Sequence, residues 1–379
     1  MKIVFTLHSY FPFSNGISST MGYLAEGLCT KGYDVLVITH SHEGLPYKET
    51  INGVKIIRQY DGNAESYIHC INETVSEEDV LINVCVQTPT TDLLLPIIDK
   101  IRTKKKILYI HGIWHFGWTQ RDKTSIHNIG SKIYNNLKWR WYFYKNTKNF
   151  KKYDVVTQLH EMDDGNIFFK KHYGIDSIIM ENAADEAFFE KQDDSIIIEK
   201  YTLPNEYLVC VANYSPLKNQ ELVLRAYYQS HSNMELVFVG ADESGYLDYL
   251  KQIENKLRSR DYQSLEKKVR YYRDIPRGEI APFVRNATAF LFGSVGEKFP
   301  VSIIEPMAAG VPFISTDVGI VRYLPGGEIV HNETEMSEAI NKVVSDDKYR
   351  QELAKAGREY ALVHMRVQEK VDELENVVK

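Results

Sequence analysis

From its first residue the chain alternates short β-branched, apolar runs with longer amphipathic segments: KIVFTL, SSTMGYLAEGLCTKG, DVLVITH, VKIIRQY. That rhythm predicts βαβ units and a mostly parallel sheet. DVLINVCV, KKILYIHG and DVVTQLH continue it, each a short apolar run of the kind shown by strands buried on both faces. A second series begins at EYLVCVAN and runs through MELVFVG, KVRYYRD, TAFLFGS and VPFIST, with NQELVLRAYYQS and GYLDYLKQIENKLRSR as helices between the strands. The stretch MENAADEAFFEKQDDSIIIEKYTLPN between the series is polar and ends in a proline turn, so it reads as a linker, with a hinge near residues 182–205. The expectation is an α/β chain of two doubly wound, Rossmann-like domains, 1–185 and 186–359, with a terminal helix over 360–379 packing back on the first. At 379 residues each domain can bury its own core. Two such domains facing each other make one cleft, and ligands of doubly wound sheets sit outside the carboxyl ends of the strands.

Charge and cysteine usage exclude several alternatives. A formal net charge of −6 argues against a nucleic-acid partner, which requires a basic surplus. Cys29, Cys70, Cys85 and Cys210 lie far apart with no Cys-x-x-Cys pair, so neither a zinc cluster nor a disulfide framework is encoded. No run approaches the roughly 20 apolar residues that cross a bilayer, and the N-terminal apolar run is short for a signal segment. The expected setting is the cytoplasm, extending to the inner face of a membrane.

Residues 287–316 are the most informative segment. The strand TAFLFGS ends in a turn from Gly293 to Gly296, followed by Glu297, Lys298, Phe299 and Pro300. Pro300 suits a first helical turn, VSIIEPMAA supplies the helix and Gly310 a C-terminal stop, with Pro306 awkwardly deep inside it. Glu297 then projects from a strand's carboxyl end, and the amides of Phe299 and Val301 at the helix start point into the same crevice as an anion site. Glu305, one to two turns in, can accept bonds from a diol.

The stretch E-x-FP-x-x-x-x-E-x-MA-x-G-x-P-x-I-x-T-D from Glu297 to Asp317 resembles the Glu-x7-Glu signature of glycosyltransferase family 4, and the likeness extends over essentially the whole chain. The resemblance implies the GT-B fold, a nucleotide-sugar donor held by the second domain, an acceptor held by the first, and transfer with retention. By the same resemblance Glu297 meets the donor sugar's hydroxyls and Glu305 the ribose. An acid/base pair of glycosidase type is the other chemistry two carboxylates can support.

The loop in LVCVANYSPLKNQELVLRAY sets Asn213 and Lys218 at a strand's carboxyl end, where a lysine can neutralise a leaving diphosphate. The family carries an arginine and a lysine here; Lys218 matches the lysine, Asn213 stands at the arginine's position, and Arg273 or Arg322 is a candidate replacement. Uracil is the expected base, read by backbone near Asp274 and Ile275. In the first domain, SYFPFSNGISST places Asn15, Gly16 and Ser18 at the opening of a helix expected to start at Ser18 to Thr20. Glycine there permits close backbone approach, and in the family this loop, often with two glycines, covers the donor phosphate and borders the acceptor. SNGISST lacks the G-x-G-x-x-G of a nicotinamide site. His111 ends the strand of KKILYIHG and resembles the family's histidine near the reaction centre, although Gly112 follows where an acidic residue is common; His115 is a weaker candidate.

Together these give a catalytic set of His111, Lys218 and Glu297, a nucleotide-sugar co-substrate with no other cofactor, and no metal, since no Asp-x-Asp stands at a strand end. The expected reaction moves a hexosyl unit to a hydroxyl of a glycan or lipid-linked acceptor, in cell-surface polysaccharide or glycoconjugate synthesis. A nucleotide-sugar epimerase or phosphorylase on the same scaffold, and a non-catalytic sugar-nucleotide-binding subunit, are the alternatives. Finally, residues 123–153 contain no acidic residue, and KIYNNLKWRWYFYKNTKNFKKY interleaves cations with aromatics. That pattern fits either peripheral membrane contact through 132–153 or a long helix packing its aromatic stripe inward.

Overall fold

The computed structural model describes residues 1–13, 16–119, 121–259 and 266–379. They form two compact units, Met1–Glu181 with Lys370–Lys379, and Asn182–Glu369.

The first unit runs β1 (Lys2–Thr6), α1 (Gly16–Thr30), β2 (Asp34–His40), β3 (Lys48–Ile51), β4 (Val54–Tyr60), α2 (Ala64–Thr74), β5 (Val80–Val84) and α3 (Pro89–Asp92). It continues with β6 (Lys105–Tyr109), α4 (Ile126–Lys145), α5 (Thr147–Phe150), β7 (Val155–Gln158), α6 (Asp164–Tyr173) and β8 (Ile178–Ile179). The sheet order is β3-β4-β2-β1-β5-β6-β7-β8. Its central strands are the two-face-buried apolar runs; all five residues of β5 are buried. Among the described residues the one departure from parallel pairing is the β3–β4 hairpin at the edge. Asn52 and Gly53 turn it with φ of 50° and 86°, the backbone that an Asn-Gly pair favours in a two-residue hairpin. Local signals also set the helix ends: Asp163 caps α6 by accepting from the Gly165 amide, and Gly174 closes it at φ 66°.

The second unit runs α7 (Ser195–Tyr201), β9 (Tyr207–Val211), α8 (Gln220–Gln229), β10 (Glu235–Gly240), α9 (Tyr246–Arg258), β11 (Val269–Arg273) and α10 (Ile280–Arg285). After it come β12 (Ala289–Phe292), α11 (Val301–Ala309), β13 (Phe313–Thr316), β14 (Gly327–Val330), α12 (Glu333–Ser345), α13 (Asp347–His364) and α14 (Val367–Val378). Six parallel strands stand in the order β11-β10-β9-β12-β13-β14, so β9 and β12, distant in sequence, are neighbours. Leu208, Phe238, Leu291 and Ile314 pack with Val223 and Leu224 of α8 in one core. The segment before β9, expected as linker, is partly helical: α7 is tied down where Asp194 binds Arg285 at 2.7 Å. From Lys370 onward α14 belongs to the first unit, where Lys31 reaches Glu375 at 2.7 Å.

Candidate functional site

Lys218 and Glu297, 79 residues apart, meet at the carboxyl ends of β9 and β12. The loop after β9 is held tightly. The buried Gln220 amide donates to the carbonyls of Ala212 and Asn213 at 3.2 and 2.9 Å, and Asn219 takes a left-handed φ of 49°. Two glycines let neighbouring backbone close on it: a Cβ at Gly240 would lie 2.1 Å from the Ala212 carbonyl oxygen, and one at Gly293 2.6 Å from that of Asn219. On this base the Lys218 ammonium stands 2.6 Å from Glu297 Oε1 and 5.6 Å from the centre of the Phe292 ring. The Ser294 hydroxyl donates to the same oxygen at 2.7 Å. Glu297 Oε2 accepts no hydrogen bond from the described residues. One carboxylate oxygen is therefore fixed by the protein and the other is left for a donor outside it. With side-chain exposures of 24% and 14%, the pair is screened far less than a surface ion pair.

The helix after Glu297 begins at Val301, with Pro300 as its cap residue and no side-chain cap. The Ile303 amide donates back to the Pro300 carbonyl at 3.0 Å, while the amides of Val301 and Ser302, as the first of the helix, have no intrahelical acceptor, the property that favours anions at a helix start. Pro306 does lie inside this nine-residue helix, and Gly310 ends it at φ 73°. Phe299 is 4% exposed and its carbonyl accepts from the Asn182 amide at 2.9 Å, so its side chain is not placed to serve a ligand. Val301 is half-buried.

Glu305 is buried, and its carboxylate is ion-paired to Arg277. Burial raises its pKa above the usual carboxylate range, with the guanidinium pulling the other way. Arg277 also lies 5.6 Å over the Phe188 ring. Sequence reasoning missed this residue: it sits in the β11–α10 connection, RDIPRGEI, outside any periodic run, and only the turn-rich Pro-Arg-Gly following a strand end hints at it.

The other expected residues are placed as follows. Asp274 has φ 55° and its amide donates to Gly240 O at 3.1 Å, while its carboxylate binds Arg273 at 2.9 Å; Ile275 follows it, half-buried. Asn213 is exposed. Neither proposed replacement cation stands ready beside it: Arg273 is engaged by Asp274 and by the Asp242 carbonyl, and Arg322 by Asp317.

In the first unit α1 begins at Gly16, a turn earlier than expected, because Ser18 turns inward and donates to the Phe13 carbonyl at 2.6 Å. That inward turn runs against its assignment to acceptor binding. A Cβ at Gly16 would touch nothing within 4 Å, so sterics alone do not demand glycine. Asn15 lies outside the described residues. His111, two residues beyond β6, stacks on Tyr109 with ring centres 5.0 Å apart, and its buried Nε2 has no protein partner. Burial lowers its pKa to about 3, which keeps the imidazole neutral near pH 7. His115 binds Asp164 at 2.6 Å on the surface. Among the described residues no group of three metal-ligating side chains converges.

Comparison with known proteins places this geometry. Residues 193–360 match the family model described as glycosyl transferases group 1. D-inositol 3-phosphate glycosyltransferase of Nocardioides is 25% identical over 201 residues, 48% of this chain and 44% of that protein. The match thus spans less than half the length of the curated relative. Among solved structures, Anabaena HepE in complex with UDP superposes with a TM-score of 0.74 at 15% identity, covering 100% of this chain and 99% of that one. Sucrose-phosphate synthase from Thermosynechococcus elongatus gives 0.73 at 14% identity, covering 99% and 98%. The fold is GT-B, two Rossmann-like domains each built on a parallel sheet. The stretch that matches the glycosyl transferases group 1 model, residues 193–360, holds Lys218, Glu297, Arg277 and Glu305.

Proposed function

We propose that the chain transfers a hexosyl unit from a uridine diphosphate sugar to a hydroxyl of a glycan or lipid-linked acceptor, with retention, at the cytoplasmic face of a membrane. The observation that carries this is the Lys218–Glu297 contact beside the uncapped start of α11. A cation and a set of free amides together suit a diphosphate, and the open Oε2 of Glu297 suits a sugar hydroxyl. The acceptor oxygen bonds to the anomeric carbon as the bond to the diphosphate breaks. The departing phosphate oxygen takes the acceptor's proton, and Lys218 with the α11 amides holds the charge that develops. Glu305, ion-paired with Arg277, accepts from the ribose diol. His111, neutral, orients rather than transfers protons. The bound UDP named for HepE and the family of residues 193–360 support the donor class.

Lys218 supplies the neutralising charge in this reading, so turnover is expected to persist in EDTA; loss of activity restored by a divalent cation would sink that part. A panel of nucleotide sugars in a thermal-shift assay tests the donor, since a ligand at 100 times its Kd stabilises by about 2.7 kcal/mol. UDP sugars should raise the midpoint and other nucleotides less; no response to any nucleotide sugar would reject the site. The uncharged Asn213, with Arg273 and Arg322 engaged elsewhere, favours a second reading, a sugar-nucleotide-binding subunit without turnover. It predicts binding in that panel and no release of UDP.

A further inference from the structure

The helix α4 carries an apolar stripe that no described residue of the first unit covers. Ile126, Ile133, Tyr134, Leu137, Trp141 and Tyr144 are 90, 48, 67, 64, 62 and 81% exposed. At 3.6 residues per turn they share one arc of about 100° over about 27 Å of helix. The inward arc is separately occupied: Phe143 is buried, the Tyr142 hydroxyl donates to Asp92, Asn136 accepts from the Trp114 indole at 2.7 Å, and Lys132 donates to the His115 carbonyl at 2.8 Å. The aromatic stripe of this segment is therefore split between two faces, and the outer one is unpartnered.

Its rim is basic on both sides. Lys138 and Lys145 flank one edge and Arg140 the other, all exposed. Lys145 stays within the patch, 5.0 Å over the Trp141 ring. No acidic residue occurs between Lys123 and Tyr153. A second copy of this chain would set like charges against like charges on such a face, whereas an anionic bilayer surface matches both features: headgroups meet the cations and the upper acyl region meets Ile133, Leu137 and Trp141. We infer that the outer face of α4 is a membrane-docking surface that lies flat on anionic lipid. This deepens the lipid-linked acceptor reading above by fixing the face that meets the bilayer, yet the docking itself does not require catalysis.

The test is sedimentation of the full chain with vesicles of phosphatidylcholine, alone or mixed with phosphatidylglycerol. Binding is expected to the mixed vesicles and to weaken as salt rises. Replacing Lys138, Arg140 and Lys145 together by glutamine should weaken it by about two orders of magnitude, from about fivefold per basic residue at an anionic surface. L137E with W141E, both at exposed positions, should abolish it while leaving the circular dichroism spectrum and UDP-sugar hydrolysis in solution unchanged. Failure to bind either vesicle, equal binding by these variants, or a dimer in light scattering that L137E/W141E dissolves would overturn the inference. Vesicle binding without any hydrolysis by the parent protein would uphold this surface and reject the transferase reading alone.

Discussion

Replacing Arg277 by glutamine isolates the buried carboxylate at the second glutamate. Glu305 is 3% exposed and its carboxylate is paired with Arg277. Removing one partner of a fully buried pair costs about 3–5 kcal/mol. Here the Arg277 side chain is 53% exposed, so water screens its share of the attraction and the expected loss is about 1.5–3 kcal/mol. The pH dependence has a definite sign. Burial already holds the Glu305 pKa above its ordinary value, and loss of the guanidinium raises it further. A raised carboxyl pKa means that the folded state binds the extra proton, so its stabilising share is complete below the unfolded pKa and is lost as pH rises through the folded one. The deficit of Arg277→Gln is therefore largest at alkaline pH and shrinks toward the ordinary carboxylate range, by at most about 1.36 kcal/mol per pH unit. Urea unfolding of both proteins across that range, followed by far-ultraviolet circular dichroism, measures it. A deficit that is absent, or constant with pH, would show that Arg277 does not stabilise the Glu305 carboxylate.

Three further outcomes follow from the packing. Gly240→Ala drives a Cβ toward the Ala212 carbonyl oxygen, 2.1 Å away; it should cost about 1–3 kcal/mol and weaken UDP-sugar affinity by loosening the loop that carries Lys218, and a melting temperature equal to the parent's would count against the close packing. His111, with a pKa lowered by burial from 6.5 to about 3, should show no imidazole titration by NMR between about pH 5 and pH 8. A depressed pKa lends stability above the unfolded value that is lost as pH falls through it toward the folded one, so His111→Asn should flatten the acid limb of the stability curve by up to about 1.36 kcal/mol per pH unit; an unchanged limb would contradict the burial.

The sequence was most readable where one local rule governs. Alternating buried runs announced both sheets, because strands covered on two faces must be apolar throughout. The segment from Glu297 to Glu305 was readable because strand, turn, helix and stop each leave a residue signature. Even there Pro300 proved to be the cap rather than the first turn, and the Phe299 side chain went inward. The β3–β4 hairpin escaped the βαβ reading although Asn52–Gly53 marks it, since the alternating residues of KETI carry little hydrophobic signal. Arg277 escaped because its importance depends on a carboxylate 28 residues away, a distance no local pattern encodes. The two arcs of α4 could not be separated either: apolar residues occupy both, and only packing against Phe116, Trp114 and Asp92 decides which arc turns inward.

The central claim, that Lys218 and Glu297 act together on a nucleotide sugar, is tested most directly by UDP release from UDP sugars in steady state. The parent chain should release UDP slowly to water. Lys218→Ala and Glu297→Ala should each lower kcat by about 10²–10³-fold, the cost of losing one preorganised electrostatic contact, with the fold retained. Undiminished release in both variants would contradict the assignment of this pair, and no release by the parent with any UDP sugar would contradict the activity itself.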